Sequence, residues 1–238
     1  MAKVRDMTVG KPARLILSFA LPLMLGNVFQ QMYIIVDTMV VGKFVGVEAL
    51  AALGAADWLN WLVIGLMQGL TQGFSILISQ RFGASDWKGL NRAMAGAVLI
   101  AGIVGIALTI TSLSLVHPVL VLLNTPADIM DGALSYLHVM FSGCLAVMGY
   151  NVFAAILRAM GNSRTPLIAM VIASLLNVVL DLLFVLGFHW GIAGAAGATV
   201  LAQAVSCLIC LFAVLRLPIP KMEREDWRPS APLYGQLL

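Results

Sequence analysis

Residues 93–116 read AMAGAVLIAGIVGIALTITSLSLV. No charged side chain, amide or imidazole interrupts the stretch. At about 1.5 Å per residue, a helix of this length crosses a hydrocarbon layer of about 30 Å. Further charge-free runs lie on either side, at 15–36, 58–80, 132–157, 165–180 and 182–215. The last is too long for one crossing. The turn-like Gly187-Phe188-His189-Trp190-Gly191 divides it, so its first part completes the fifth helix. The pattern predicts an all-α polytopic membrane protein with six spans, at 13–41, 49–79, 93–116, 130–157, 166–187 and 192–215. Barrel strands are excluded because the runs are too long and too uniformly apolar.

Composition excludes the alternatives. Of the 238 residues, 61% are hydrophobic and only 11% charged, against about 25% charged in a soluble domain. A water-soluble globule, a disordered chain, a collagen and a disulfide scaffold are all ruled out. Cys144, Cys207 and Cys210 sit inside apolar runs and read as buried thiols, with no βαβ pattern to make Cys207 and Cys210 a redox pair. His117, His138 and His189 are scattered, and no zinc spacing, nucleophile elbow or P-loop is present. The basic residues are dispersed among loops, which argues against a nucleic-acid partner.

Charge sets the expected orientation. Of the 14 Lys and Arg residues, all but Lys43 fall in four segments. These are the N-terminal segment (Lys3, Arg5, Lys11, Arg14), the loop after the second span (Arg81, Lys88, Arg92), the loop after the fourth (Arg158, Arg164) and the tail (Arg216, Lys221, Arg224, Arg228). The positive-inside rule then puts both termini in the cytoplasm, in a multi-pass protein of the cell (inner) membrane. The first apolar run is longer than a signal-peptide h-region and reads as a retained helix. Trp58, Trp61 and Trp190 fall where an outer aromatic belt would lie. Gly161 is expected to end the fourth span, with a Ser or Thr cap and Pro166 opening the fifth.

The informative residues are polar ones inside the apolar runs. An aspartate at mid-membrane costs roughly 2.5–3.5 kcal/mol, so Asp37 and Asp181 must face a cavity or a partner. In the first span, Asn27, Gln30, Tyr33 and Asp37 recur at three- and four-residue steps and share one helix face. Ser174, Asn177 and Asp181 do so in the fifth span, Thr199 and Gln203 in the sixth, and Asn151 adds a polar group from the fourth. Asp37 lies about 9 Å of helix rise before Lys43. Asp181 precedes His189, and Thr199 follows Gly191, by about 12 Å each. All three groups therefore lie at a similar depth in the outer half. Lone intramembrane amides and hydroxyls more often bind helix to helix, whereas intramembrane carboxylates are functional by default. Asp57 reads as a solvated group near the outer interface, and Gly65, Gly69 and Gly73 as packing residues. Pro22 removes a backbone hydrogen bond and is expected to kink the first helix, as a hinge or as a passive bend.

Several stretches resemble the multidrug and toxic compound extrusion (MATE) transporters of bacteria and archaea. They are Leu21-Pro22-Leu23-Met24-Leu25-Gly26-Asn27, Gln30-Gln31-Met32-Tyr33-Ile34-Ile35-Val36-Asp37, Ala49-Leu50-Ala51-Ala52-Leu53-Gly54, Ala154-Ala155-Ile156-Leu157-Arg158-Ala159-Met160-Gly161, Thr165-Pro166 and Asn177-Val178-Val179-Leu180-Asp181. The resemblance implies one six-helix lobe of a twelve-helix, two-lobed fold. It implies export of drugs or other cationic or amphipathic small molecules in exchange for H⁺ or Na⁺, with no further cofactor. It assigns a cation site to Asp37, Asn177, Asp181 and Thr199, with Asn151 nearby, and a bending role to Pro22. Asn27, Gln30, Tyr33, Ser174 and Gln203 are then candidates for the cavity wall.

On this reading residues 1–215 form the N-terminal transmembrane lobe, and 216–238 a cytoplasmic connector toward a missing second lobe. Pro232-Leu233-Tyr234-Gly235-Gln236-Leu237-Leu238 resembles the lead-in to a further span. A half-size transporter working as a parallel homodimer is the alternative. An intramembrane enzyme is the rival class, but no Asp-rich metal motif, nucleophile–base pair or Gly-rich loop accompanies the aspartates.

Overall fold

A computed structural model describes residues 12–220 and 224–227, and every element in it is helical. The long helices are α1 (Pro12–Phe44), α2 (Val47–Gly83), α3 (Trp87–Leu122), α4 (Ala127–Ser142), α5 (Cys144–Ala159), α6 (Arg164–Asp181) and α7 (Gly191–Leu215). A π-helical turn, Leu182–Gly187, extends α6, and a short 3₁₀ turn covers Arg224–Trp227. Five of these helices are long and apolar enough to cross a membrane, and the bent pair α4–α5 supplies a sixth span.

The sixth span departs from expectation. The fourth predicted span, 130–157, is two helices bent by 47° at Gly143. Ser142-Gly143 is the kind of pair at which helices kink. Ser142 Oγ donates to the Val139 carbonyl at 2.6 Å, and a Cβ on Gly143 would fall 2.5 Å from Val200 Cγ2 of α7. The bend is therefore seated against α7, a contact invisible in a charge-free run. The third span is longer than 93–116, because α3 begins at Trp87 and continues through Pro118. Charge marks where a chain meets water, and a helix can run past that point.

The loops also assign their caps differently. Gly161 ends α5 at φ 76° as expected, but Ser163 makes no cap bond. Asn162 does the work: its Oδ1 accepts from Thr165 N–H at 3.1 Å, and its Nδ2 donates to Thr165 Oγ1 at 3.0 Å. Pro166 is the third residue of α6. Asp86 caps α3, accepting from Gly89 N–H at 2.9 Å and pairing with Arg81 at 3.0 Å.

Packing centres on α7, which lies against α4, α5 and α6. Its buried face is made of small residues, including Gly194, Ala195, Ala198, Thr199 and Ala202. Lipid tails are as apolar as leucine, so close approach of helices supplies the attraction that burial supplies in water. α2 joins α3, α4 and α5 around Met67, Phe74 and Ile78. α1 packs mainly on α6, and only 6% of its apolar window is buried within the chain. Its Met24, Met32 and Met39 are 56–65% exposed. Apolar exposure on this scale suits a lipid environment and not water. Pro22 lies inside α1, whose helix is continuous past it.

Of the expected connector, Leu217 packs into the core, the Pro220 carbonyl accepts from Asn91 Nδ2 at 3.2 Å, and Asp226 approaches Arg92 at 3.9 Å. The remainder, including 232–238, lies outside the described residues, as do Lys3, Arg5, Lys11, Lys221 and Arg228.

Two outcomes follow. Gly143→Ala drives a methyl into Val200 and should cost about 1–3 kcal/mol as overpacking, read as a lower thermal midpoint in detergent. The Gly89 N–H, then Arg81, hold the Asp86 carboxyl below its ordinary range. Its stabilisation is present above the unfolded carboxyl's pKa of 3.8 and is lost as pH falls through the lower folded value. Asp86→Ala should melt lower near neutrality, and the gap to the parent should close on acidification to about pH 3.

Candidate functional site

Three helices meet where the polar stripes converge. α1 contributes Asp37, 7% exposed, near its Lys43 end. α6 contributes Asn177 and Asp181, one turn apart and 1% and 0% exposed. α7 contributes Thr199 and, one turn on, Gln203. The rows register because Asn177 Nδ2 donates to Thr199 Oγ1 at 3.2 Å, the bond that ties α6 to α7 at this level. A small cleft beside it is lined by Tyr33, Asn177, Thr199 and Gln203 on its polar side and by Met170, Ala173 and Ala202 on its apolar side.

The oxygens here are acceptors without donors. Among the described residues, Asp37 Oδ1, Asn177 Oδ1, both carboxylate oxygens of Asp181 and Gln203 Oε1 are buried and accept no hydrogen bond. Neither aspartate has a basic partner within ion-pair distance among those residues. Asp181 lies within electrostatic reach of Asp37, and Asp37 within reach of Asp57 on α2. Asp57 itself is exposed. Buried polar atoms are nearly always paired, and an isolated buried carboxylate is costly. A set composed of carboxylate, amide and hydroxyl oxygens is hard-donor chemistry, unlike a thiolate or imidazole set.

The other expected residues divide. Tyr33 and Gln203 share the cleft. Ser174 is buried but donates to its own helix, at the Met170 carbonyl, 2.8 Å away. Asn151 is likewise spent on its own helix, with Nδ2 2.9 Å from the Val147 carbonyl, and it does not line the cleft. Gln30 is half-buried, and Asn27 is exposed on α1. Pro22 lies four turns from Asp37 along α1 by the ordinary pitch, roughly 22 Å.

Sequence reasoning missed Tyr136. It is 5% exposed on α4 and lies within electrostatic reach of Asp37, Asp57, Tyr33 and Asp181. A tyrosine hydroxyl in an apolar run was the available signal, since buried tyrosines seek a polar partner. It lies on the α4 arm, ahead of the Gly143 bend that the sequence alone did not reveal.

Comparison with known proteins places the chain in a family. The MatE family model matches residues 22–183. The probable multidrug resistance protein YpnP of Bacillus subtilis is 33% identical over 234 residues, covering 96% of this chain and 52% of that protein. A MOP superfamily transporter from Pyrococcus furiosus superposes with a TM-score of 0.90 at 29% identity, over 96% of this chain and 51% of that one. The outward-facing structure of a multidrug resistance MATE family transporter gives a TM-score of 0.89 at 29% identity, over the same 96% and 51%. The chain thus spans about half the length of the relatives it matches. Those relatives are transporters rather than enzymes, and the family match runs from Pro22 through both site aspartates to Leu183. The chain belongs to the MatE family of multidrug transporters.

Proposed function

We propose that this chain is the cation-coupling lobe of an antiporter that exports drugs or other cationic and amphipathic small molecules in exchange for H⁺ or Na⁺. The observation that carries the reading is the set of donor-free oxygens on Asp37, Asn177, Asp181 and Gln203. Asp37, Asn177, Asp181 and Thr199 are the proposed cation ligands. Asn151 is kept as an outlying member, because its amide serves its own helix. Asn27, Gln30, Tyr33, Ser174 and Gln203 are proposed along the route that substrate takes. The lobe is proposed at residues 1–215, with both termini cytoplasmic and the protein in the cell membrane. The basic loops at Arg81–Arg92 and Arg158–Arg164 support that orientation.

The mechanism follows from which helix holds which ligand. Asp37 rides on α1, Asn177 and Asp181 on α6, and Thr199 on α7. A cation entering from the outer side offsets one of the two carboxylate charges, relieves their repulsion and draws α1 toward α6 and α7. An equilibrium shifts only by a ligand's differential affinity for its two states. Here that difference arises because the arrangement with Asp37 drawn in offers more oxygens to the cation. Pro22 lets α1 change direction without breaking further backbone bonds, and the repacked helix narrows the cleft and displaces substrate. The apolar wall of Met170, Ala173 and Ala202 supplies contact without a fixed ion pair, which accords with broad specificity. A transport route needs a facing wall. A second six-helix lobe, in a longer protein or from a second copy of this chain, is proposed to provide it.

Three substitutions test this. Asp37→Asn and Asp181→Asn should each strongly reduce cation-gradient-driven dye efflux at unchanged membrane levels, because intramembrane carboxylates mark ion and proton pathways. Full efflux in both variants would sink the proposal. Pro22→Ala should slow efflux while leaving cation protection of the two aspartates intact.

A further inference from the structure

Immediately after Asp181 the α6 helix changes character. Residues Leu182–Gly187 form a π-helical turn. Such turns are rare, carry one extra residue per turn and are found mostly at functional sites. This one lies against α7, most closely at Gly194. A Cβ on Gly194 would fall 3.1 Å from Phe184 Cβ, 3.1 Å from Trp190 Cβ and 3.3 Å from the Phe184 carbonyl carbon. The last atom is backbone, so no side-chain rotation relieves the contact. Gly197, one turn further along, faces the same residue with room to spare, its Cβ 3.9 Å from Phe184 Cδ2.

The turn is also held from its other side. Phe184 packs on Trp190 at a ring separation of 4.9 Å and stacks on Phe188 at 5.9 Å. The Phe184 carbonyl accepts from Trp190 N–H, and the Leu183 carbonyl from Phe188 N–H, each at 3.0 Å. The Asp181 carboxylate, by contrast, accepts no hydrogen bond from any described residue. With no donor to orient it, its direction depends on the backbone that carries it, and three residues later that backbone is seated on Gly194.

We infer that Gly194 is a positioning residue for the cation site, its bare Cα fixing the π turn and, through it, the direction of Asp181. The inference rests on the cation-site reading. The titratable groups within electrostatic reach of Asp181 are Asp37 and Tyr33 from α1 and Tyr136 from α4, with Asn177 one turn away on its own helix and bonded to Thr199 of α7. None of them is touched by a methyl at residue 194.

The test is site-resolved labelling of the full chain in lipid nanodiscs with a membrane-permeant carbodiimide, read by mass spectrometry. Asp37 serves as the internal reference. Gly194→Ala should change the ratio of Asp181 to Asp37 labelling rates by at least about threefold, as expected when a reacting group is displaced by a fraction of an ångström. Gly197→Ala should leave the ratio unchanged. General loosening of the fold would speed both aspartates together and leave the ratio unmoved. If Gly194→Ala does not insert, deletion of the half-exposed Leu183, which returns the turn to the α period, carries the same expectation. An unchanged ratio in the inserted variant overturns the inference alone. If Na⁺ does not alter labelling of the unsubstituted chain and both aspartates label with the pH dependence of an ordinary exposed carboxyl, the cation-site reading falls and the inference with it.

Discussion

Asp181 is wholly buried, has no basic partner among the described residues, and keeps both carboxylate oxygens free of donors. In hydrocarbon that arrangement is expensive, and much of the lobe is organised around it. α6 can carry the aspartate only because α7 approaches closely, and α7 approaches closely because its facing residues are small. The Asn177–Thr199 bond fixes the two helices in register at the same level. α1 then brings Asp37 to the open side of the pair. Remove the carboxylate, and the polar stripes on three helices lose their common purpose.

The polar residues in the spans fall into two kinds. Ser174, Asn151 and Thr71 return their donors to their own helix carbonyls, and Ser206 reaches the Ala169 carbonyl at 3.3 Å on α6. These satisfy themselves and act as packing groups. Asp37, Asn177, Asp181 and Gln203 instead keep at least one buried oxygen unpaired. Helical periodicity alone cannot separate the kinds, since Ser174, Asn177 and Asp181 share one face. Only the direction of each hydrogen bond does so.

That distinction explains how much could be read from the residues. The six spans were legible because a charge-free run longer than the bilayer has few alternatives. The approach of the α6 and α7 polar rows was legible too, since helix rise is constant and Gly187–Gly191 marks the turn from which both are counted; it shows in the structure as the Asn177–Thr199 bond. The bend at Gly143 was not, because it depends on Val200, more than fifty residues away in sequence. Tyr136 was lost with it. The π turn was hidden for a related reason: Leu182–Gly187 has no composition of its own and takes its form from Gly194 and the aromatic residues around it. The Asn162 cap was missed because Asn, Ser and Thr all stand in that loop and only geometry chooses among them.

The bent span has a mechanical consequence. Both of its arms lean on α2, α3 and α7. One crossing therefore braces most of the bundle, much as a cranked strut stiffens a frame better than a straight one. α1 stands outside that frame, with almost all of its apolar window turned away from the rest of the chain. Shifting a braced helix means breaking packed contacts, whereas shifting α1 mostly trades one set of lipid contacts for another. The lobe is thus a stiff body with a single compliant member, and its two buried carboxylates are divided across the joint between them.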